Sequence, residues 1–174
     1  PHHASSAASD VYKRQVDQLA KKIKLKENSA NLGIAHTRWA THGVPSEKNA
    51  HPHSSKDIFV VHNGIVENHE DLKAELRSEG IRFSSQTDTE VIAHLVQYYV
   101  EKGQSFEKAV FNAIKKLKGA YALGILNKKE PEQLIGIRNQ SPLVLGKGFQ
   151  ENFIASDVMA LAPVTNKFVY LEDG

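Results

Sequence analysis

The chain has 174 residues, 22 basic and 20 acidic side chains, 40% apolar content and no cysteine. Its length fits one domain with a sizeable core, and its near balance of charge argues against a nucleic-acid or anionic-membrane surface. The missing cysteine excludes disulfides, thiolate metal sites and a cysteine nucleophile supplied by this sequence.

Residues 1–10, PHHASSAASD, are small and polar without an apolar period, and disorder is expected there. The stretch DVYKRQ (Asp10–Gln15) resembles a translated transposon end, so 1–15 reads as a non-native leader and 16–174 as the native part. No run approaches the about 18 apolar residues of a membrane helix, and no signal-peptide order is visible, so a cytoplasmic protein is expected. From Val16, VDQLAKKIKL places Val16, Leu19, Ala20 and Ile23 on one helical face. LGIAHT then reads as a short strand, RWATHGVPSEKNAHPHSS as a loop, and DIFVVHNG as a second strand ending at Asn63-Gly64.

Three helices follow. NHEDLKAELRSEG has Asn68 as N-cap and Gly80 as stop; TDTEVIAHLVQYYVEKG has Thr87 and Glu90 as a capping box, an apolar stripe through Val91, Ile92, Leu95, Val96 and Tyr99, and Gly103 as its end. SFEKAVFNAIKKLKG begins at Ser105, aligns Phe106, Ala109, Val110, Ala113, Ile114 and Leu117, and stops at Gly119. The period then changes to two, and AYALGIL, QLIGIRN, PLVLGKG, NFIAS and KFVYLED read as short strands. Strands, then helices, then adjacent strands predict an α+β layered domain with antiparallel sheet.

Three candidate features emerge from this order. In HTRWATHG, Arg38 offers a planar fork suited to a carboxylate, with Thr41 and His42 beside it, or else forms a surface ion pair while Trp39 plugs the core edge. In HNG, the Asn63 amide and the Gly64 N–H could aim two donors at one oxygen, or could simply turn the chain. Asp88 could hold a substrate ammonium, or could favour a helix dipole from the first turn. His42, His51, His53, His62 and His69 fall within 28 residues, but HExxH is absent and no carboxylate has ligand spacing, so no metal site is expected.

Taken together, GIAHTRWATHGVPSEKNAHPH, VVHNGIVENHEDLK, TDTEVIAHL, GAYALGIL, SPLVLG and ENFIASD resemble the glutaminase domain of the glutamine–fructose-6-phosphate aminotransferases. These are class II, N-terminal-nucleophile glutamine amidotransferases, and the likeness runs from about Val16 to Gly174. It implies an α+β, four-layer αββα sandwich with two antiparallel sheets, truncated here at both ends. It further implies an enzyme that hydrolyses glutamine and passes ammonia to isomerase domains, absent from this chain, which turn fructose 6-phosphate into glucosamine 6-phosphate. No cofactor is implied, and a homodimer is implied at full length.

By the same resemblance, Arg38 clamps the α-carboxylate of glutamine, with Thr41 and His42 in the covering loop. Asp88 holds the α-ammonium, Asn63 and Gly64 form the oxyanion hole, and Trp39 gates an ammonia passage. The family's nucleophile is an N-terminal cysteine whose own α-amino group is the base. Neither that cysteine nor the arginine motif that follows the family's first strand is present, so the polypeptide itself is expected to hydrolyse no glutamine. The alternative is a non-catalytic glutamine-binding module. Retention of Asn63-Gly64 and Trp39, which a mere binder does not need, favours the enzyme.

Overall fold

The structure, a computed structural model, describes residues 18, 21, 30–37, 43, 44 and 46–174. The chain divides into two units, Pro1–Gly33 and Ile34–Gly174. In the first, Gln18 and Lys21 are helical; the expected leader, 1–15, lies outside the described residues.

In the second unit a 3-10 turn (Glu47–Asn49) precedes β1 (His53–Ser55) and β2 (Ile58–Gly64). Helices α1 (His69–Ser78), α2 (Glu90–Glu101) and α3 (Phe106–Ile114) follow, then β3 (Tyr121–Asn127), β4 (Leu134–Asn139), β5 (Val144–Lys147), β6 (Asn152–Ala155), the short helix α4 (Val158–Leu161) and β7 (Phe168–Tyr170). The strands form two antiparallel sheets, ordered β1-β2-β3-β4 and β6-β5-β7.

Alternation along the strands sorts the layers. Val60 lies opposite Ile125 and Leu123 opposite Ile137, so these residues and Ile58 share one face of the larger sheet, and all five are buried in the core with the helices. α2 contributes Val91, Ile92, Leu95 and Val96 to that core, α3 contributes Phe106, Ala109, Val110 and Ala113, and α1 adds Leu72 and Leu76. Each such Leu, Ile or Val contributes about 1.5–3 kcal/mol on burial. The opposite face carries Val61 across from Gly124, and Gly124 across from Gly136. A Cβ at Gly124 would stand 3.0 Å from Val61 Cγ2 and 3.2 Å from Ile154 Cδ1, so the bare glycine pair is what lets β6 approach. Leu145 is the register partner of Ile154 and faces the same way, which turns Gly146 outward; there its position is covered by Leu161 of α4. The order is therefore helices, sheet, sheet, helix, the α+β sandwich with two antiparallel sheets.

Several local expectations are corrected. LGIAHT forms no strand: residues 32–37 carry no regular structure, and Ile34 reaches toward Gly124 on the face of the sheet rather than pairing at an edge. His53–Ser55, read as loop, is a strand because it folds back on Ile58–Val60 through Lys56 at φ 49°. The helix after Gln86 begins at Glu90 with Thr89 as N-cap, so Thr87 and Glu90 form no capping box. Glu90 instead accepts the N–H and hydroxyl of Ser84 and of Ser85, and the Thr87 hydroxyl bonds His53. Asn68 is an N-cap by position only; its amide bridges Lys116 O and Lys118 N, tying α1 to the approach to β3. Ser105 caps α3 as expected, accepting from Lys108 N. α4 was not visible as a helix because its four residues are too few to show a period.

Candidate active site

The end of β2 is the centre of the candidate site. Ile65 N–H donates to Ala120 O at 2.8 Å and Glu67 N–H to Lys118 O at 2.9 Å, which continues the β3 pairing past the strand's end. Backbone donors alternate sides in an antiparallel ladder, so the N–H groups of Gly64 and Val66 point to the other edge. Val66 N–H meets Asp88 Oδ2 there at 2.8 Å. Gly64 N–H thus faces the same edge as the Asp88 carboxylate, two residues or about 6.6 Å along the chain. Glycine is needed at 64: φ is 126°, and a Cβ would fall 2.1 Å from Ala120 O.

His62 and Asn63 project to opposite faces of the sheet, as neighbours on a strand must. His62 is buried toward α2, its Nδ1 2.9 Å from Thr89 Oγ1 and 3.9 Å from Asp88 Oδ2. Asn63 faces the side crossed by residues 34–37, and its Oδ1 lies 2.5 Å from His36 Nε2. His51 joins the two sides: its ring stacks on His36 with centroids 4.3 Å apart, and its Nε2 is 3.2 Å from Thr89 Oγ1. His53 Nε2 is 3.0 Å from Thr87 Oγ1. His36, His51, His53 and His62 thus each meet a hydroxyl or amide group, His69 meets Val66 O and Glu70, and among the described residues no three His, Cys, Asp or Glu side chains converge in a metal-holding group.

The loop that delivers Asp88 is held by two buried polar side chains. Glu90 sits among Ser84, Ser85 and His94; burial opposes its charge, but the hydrogen bonds from His94, Ser85 and Ser84 outweigh it and hold the carboxyl well below its ordinary range. Asn49 accepts Gln86 N–H at 2.9 Å and donates to Val44 O at 2.9 Å, so the NAHPH stretch and the loop before α2 form one piece. Asp88 itself is 3% exposed and precedes the N-cap, where a carboxylate is favoured by the helix dipole as well as by Val66 N–H.

Of the residues singled out in the sequence, Gly64 and Asp88 meet the same edge of β2, while the Asn63 side chain lies against His36 on the opposite face of the sheet from His62. Arg38, Trp39, Thr41 and His42 lie outside the described residues. Sequence reasoning missed His36, His51, His62 and Thr89 as parts of the site. Their histidine density was the available signal, but their partners lie 27 to 38 positions away and leave no local pattern.

A family profile described as a glutamine amidotransferase domain matches residues 36–163. The chain is 54% identical over 160 residues to the isomerizing glutamine–fructose-6-phosphate aminotransferase of Acinetobacter baylyi, covering 92% of this chain and 26% of that protein. The namesake enzyme of Escherichia coli is 53% identical over the same shares. The chain thus spans about a quarter of the length of these curated relatives. Among solved structures, the glutamine phosphoribosylpyrophosphate amidotransferase of B. subtilis, complexed with ADP and GMP, aligns over 80% of this chain and 30% of its own, with a TM-score of 0.66 and 28% identity. A structure of the allosteric regulatory enzyme of purine biosynthesis aligns over 73% of this chain and 28% of its own, with a TM-score of 0.62 and 27% identity. With the sandwich, the glycine-ended strand and the sequence match in agreement, the chain belongs to the glutamine amidotransferase domain family.

Proposed function

We propose that the chain is the glutamine-binding and glutamine-hydrolysing part of an enzyme that makes glucosamine 6-phosphate and glutamate from glutamine and fructose 6-phosphate. The observation that carries this reading is the alignment of Gly64 N–H and the Asp88 carboxylate on one edge of β2, in a chain 54% identical to an aminotransferase named for those substrates.

In this reading the Asp88 carboxylate takes the α-ammonium, and Arg38 takes the α-carboxylate through its planar fork, with Thr41 and His42 closing over the ligand. Asn63 and Gly64 supply donors to the oxygen that gains charge when the side-chain amide is attacked. Trp39 gates the path by which ammonia leaves toward isomerase domains that hold fructose 6-phosphate. The full-length enzyme is then a cytoplasmic homodimer, and the reaction needs no cofactor.

The attacking group in this chemistry is an N-terminal cysteine with its own α-amino group as base, and the sequence contains no cysteine. The 174-residue polypeptide by itself is therefore expected to hydrolyse no glutamine. The alternative reading is a non-catalytic glutamine-binding module that keeps Arg38, Thr41 and Asp88. An assay of the full-length gene product separates the two. Formation of glucosamine 6-phosphate from the two substrates, abolished by Arg38→Ala, supports the enzyme. Glutamine binding with no product supports the module.

A further inference from the structure

The contact between His36 and Asn63 sets a direction as well as a position. His36 Nε2 stands 2.5 Å from Asn63 Oδ1, and a carboxamide oxygen can only accept, so the proton is on His36 Nε2. With Oδ1 turned toward His36, the two Nδ2 protons face away from it. The distinction matters because the terminal torsion of asparagine is broad and roughly two-fold. One orientation offers a nearby anion two donors, and the other offers it a repelling oxygen.

The His36 ring is itself held. It packs on His51 at 4.3 Å between centroids with the planes 35° apart. His51 Nε2 lies 3.2 Å from Thr89 Oγ1, which is also 2.9 Å from His62 Nδ1 and 3.5 Å from Asp88 Oδ1. A threonine hydroxyl has one proton. Donated to the Asp88 carboxylate, it leaves the oxygen to accept from both imidazoles, so His51 and His62 each donate to it. Hydrogen-bond polarity and ring packing thus run from Asp88 through Thr89, His51 and His36 to Asn63.

We propose that His36 is a positioning residue that locks the Asn63 carboxamide with its nitrogen presented as a donor, and that Thr89 and His51 hold His36 in place to do so. Its meaning rests on the reading of Asn63 and Gly64 as an oxyanion site, but the arrangement itself exists without ligand. The two can therefore fail separately.

The test is nuclear magnetic resonance on the ligand-free, nitrogen-15-labelled chain. Long-range proton–nitrogen correlation of the imidazoles is expected to find a proton on His36 Nε2, and the Asn63 Nδ2 protons are expected to show no nuclear Overhauser contact to the His36 ring, because Oδ1 is the atom turned toward it. His36→Gln, whose amide nitrogen falls near the imidazole Nε2, is expected to keep that orientation. His36→Phe, which keeps a ring but has no donor, is expected to bring in contacts from the Nδ2 protons to the ring at 36 while the backbone spectrum away from Asn63 is unchanged. A bare Nε2 on His36 overturns the proposal, and so does an Asn63 orientation that His36→Phe leaves unchanged. The tautomer is read on the unsubstituted chain, so the proposal remains testable even if His36→Phe does not fold. A separate titration with L-glutamine tests the oxyanion reading: no binding together with an Nε2-protonated His36 would sink that reading and leave the positioning role standing.

Discussion

Asp88 Oδ2 accepts the backbone N–H of Val66 at 2.8 Å, so the start of α2 is bonded to the chain two residues beyond Gly64. One carboxylate thereby fixes the spacing between the two ends of the candidate site. It also means that changes at Asp88 have a structural part and a charge part, which different substitutions separate. Asp88→Asn keeps a side-chain oxygen for Val66 N–H and removes the charge. It is expected to weaken L-glutamine binding about tenfold or more, since a hydrogen bond to a charged group is worth about 1.5–3 kcal/mol. Asp88→Ala leaves the Val66 N–H without its acceptor and is expected to destabilise the fold as well, by about 1–3 kcal/mol. Calorimetric titration of both variants beside denaturant unfolding distinguishes the two effects.

Gly64→Ala is expected to destabilise the domain even though the residue is exposed. A side chain at φ 126° is strained by about 1–3 kcal/mol, and its Cβ would meet Ala120 O at 2.1 Å, so the turn must also shift. Urea unfolding should record the loss in midpoint. Gly80→Ala, also at positive φ but with open space around the position, should lose less.

Glu90 gives the stability a pH dependence of known sign. Its folded carboxyl is held below the ordinary value of 4.5, because the hydrogen bonds from His94, Ser85 and Ser84 outweigh the opposing effect of burial. The stabilisation is therefore fully present above about pH 4.5 and is lost progressively as pH falls below that value. Glu90→Gln removes this contribution, so the variant should be less stable near neutrality and show a shallower fall in melting temperature between about pH 4.5 and 2. Parallel acid slopes for the two proteins would assign the dependence to other carboxyl groups.

The larger elements were legible in the sequence because their signals are local. Ser105 caps α3 through Lys108 N, Gly80 and Gly103 lie at positive φ where two helices stop, and the period-two runs after Gly119 became β3 to β7. What was not legible depends on distant partners. His53–Ser55 is a strand only because Ile58–Val60 lies beside it, and Glu90 reaches back to Ser84 and Ser85 rather than capping with Thr87. In the candidate site, Asn63, Gly64 and Asp88 stood out by residue type and motif. The histidines that orient them did not, since a histidine reads alike in sequence whether it meets a metal, a hydroxyl or an amide.

The most direct measurement is calorimetric titration of the 174-residue chain with L-glutamine and, in parallel, with D-glutamine. If Asp88 and Arg38 grip the ammonium and carboxylate while Asn63 and Gly64 face the side-chain amide, the L isomer binds in the millimolar range or tighter. The D isomer then binds at least about tenfold more weakly, a difference of about 1.4 kcal/mol, and Arg38→Ala abolishes the preference. Equal heats for the two isomers, or L-glutamine binding unchanged by Arg38→Ala, would contradict the assignment of this site to glutamine.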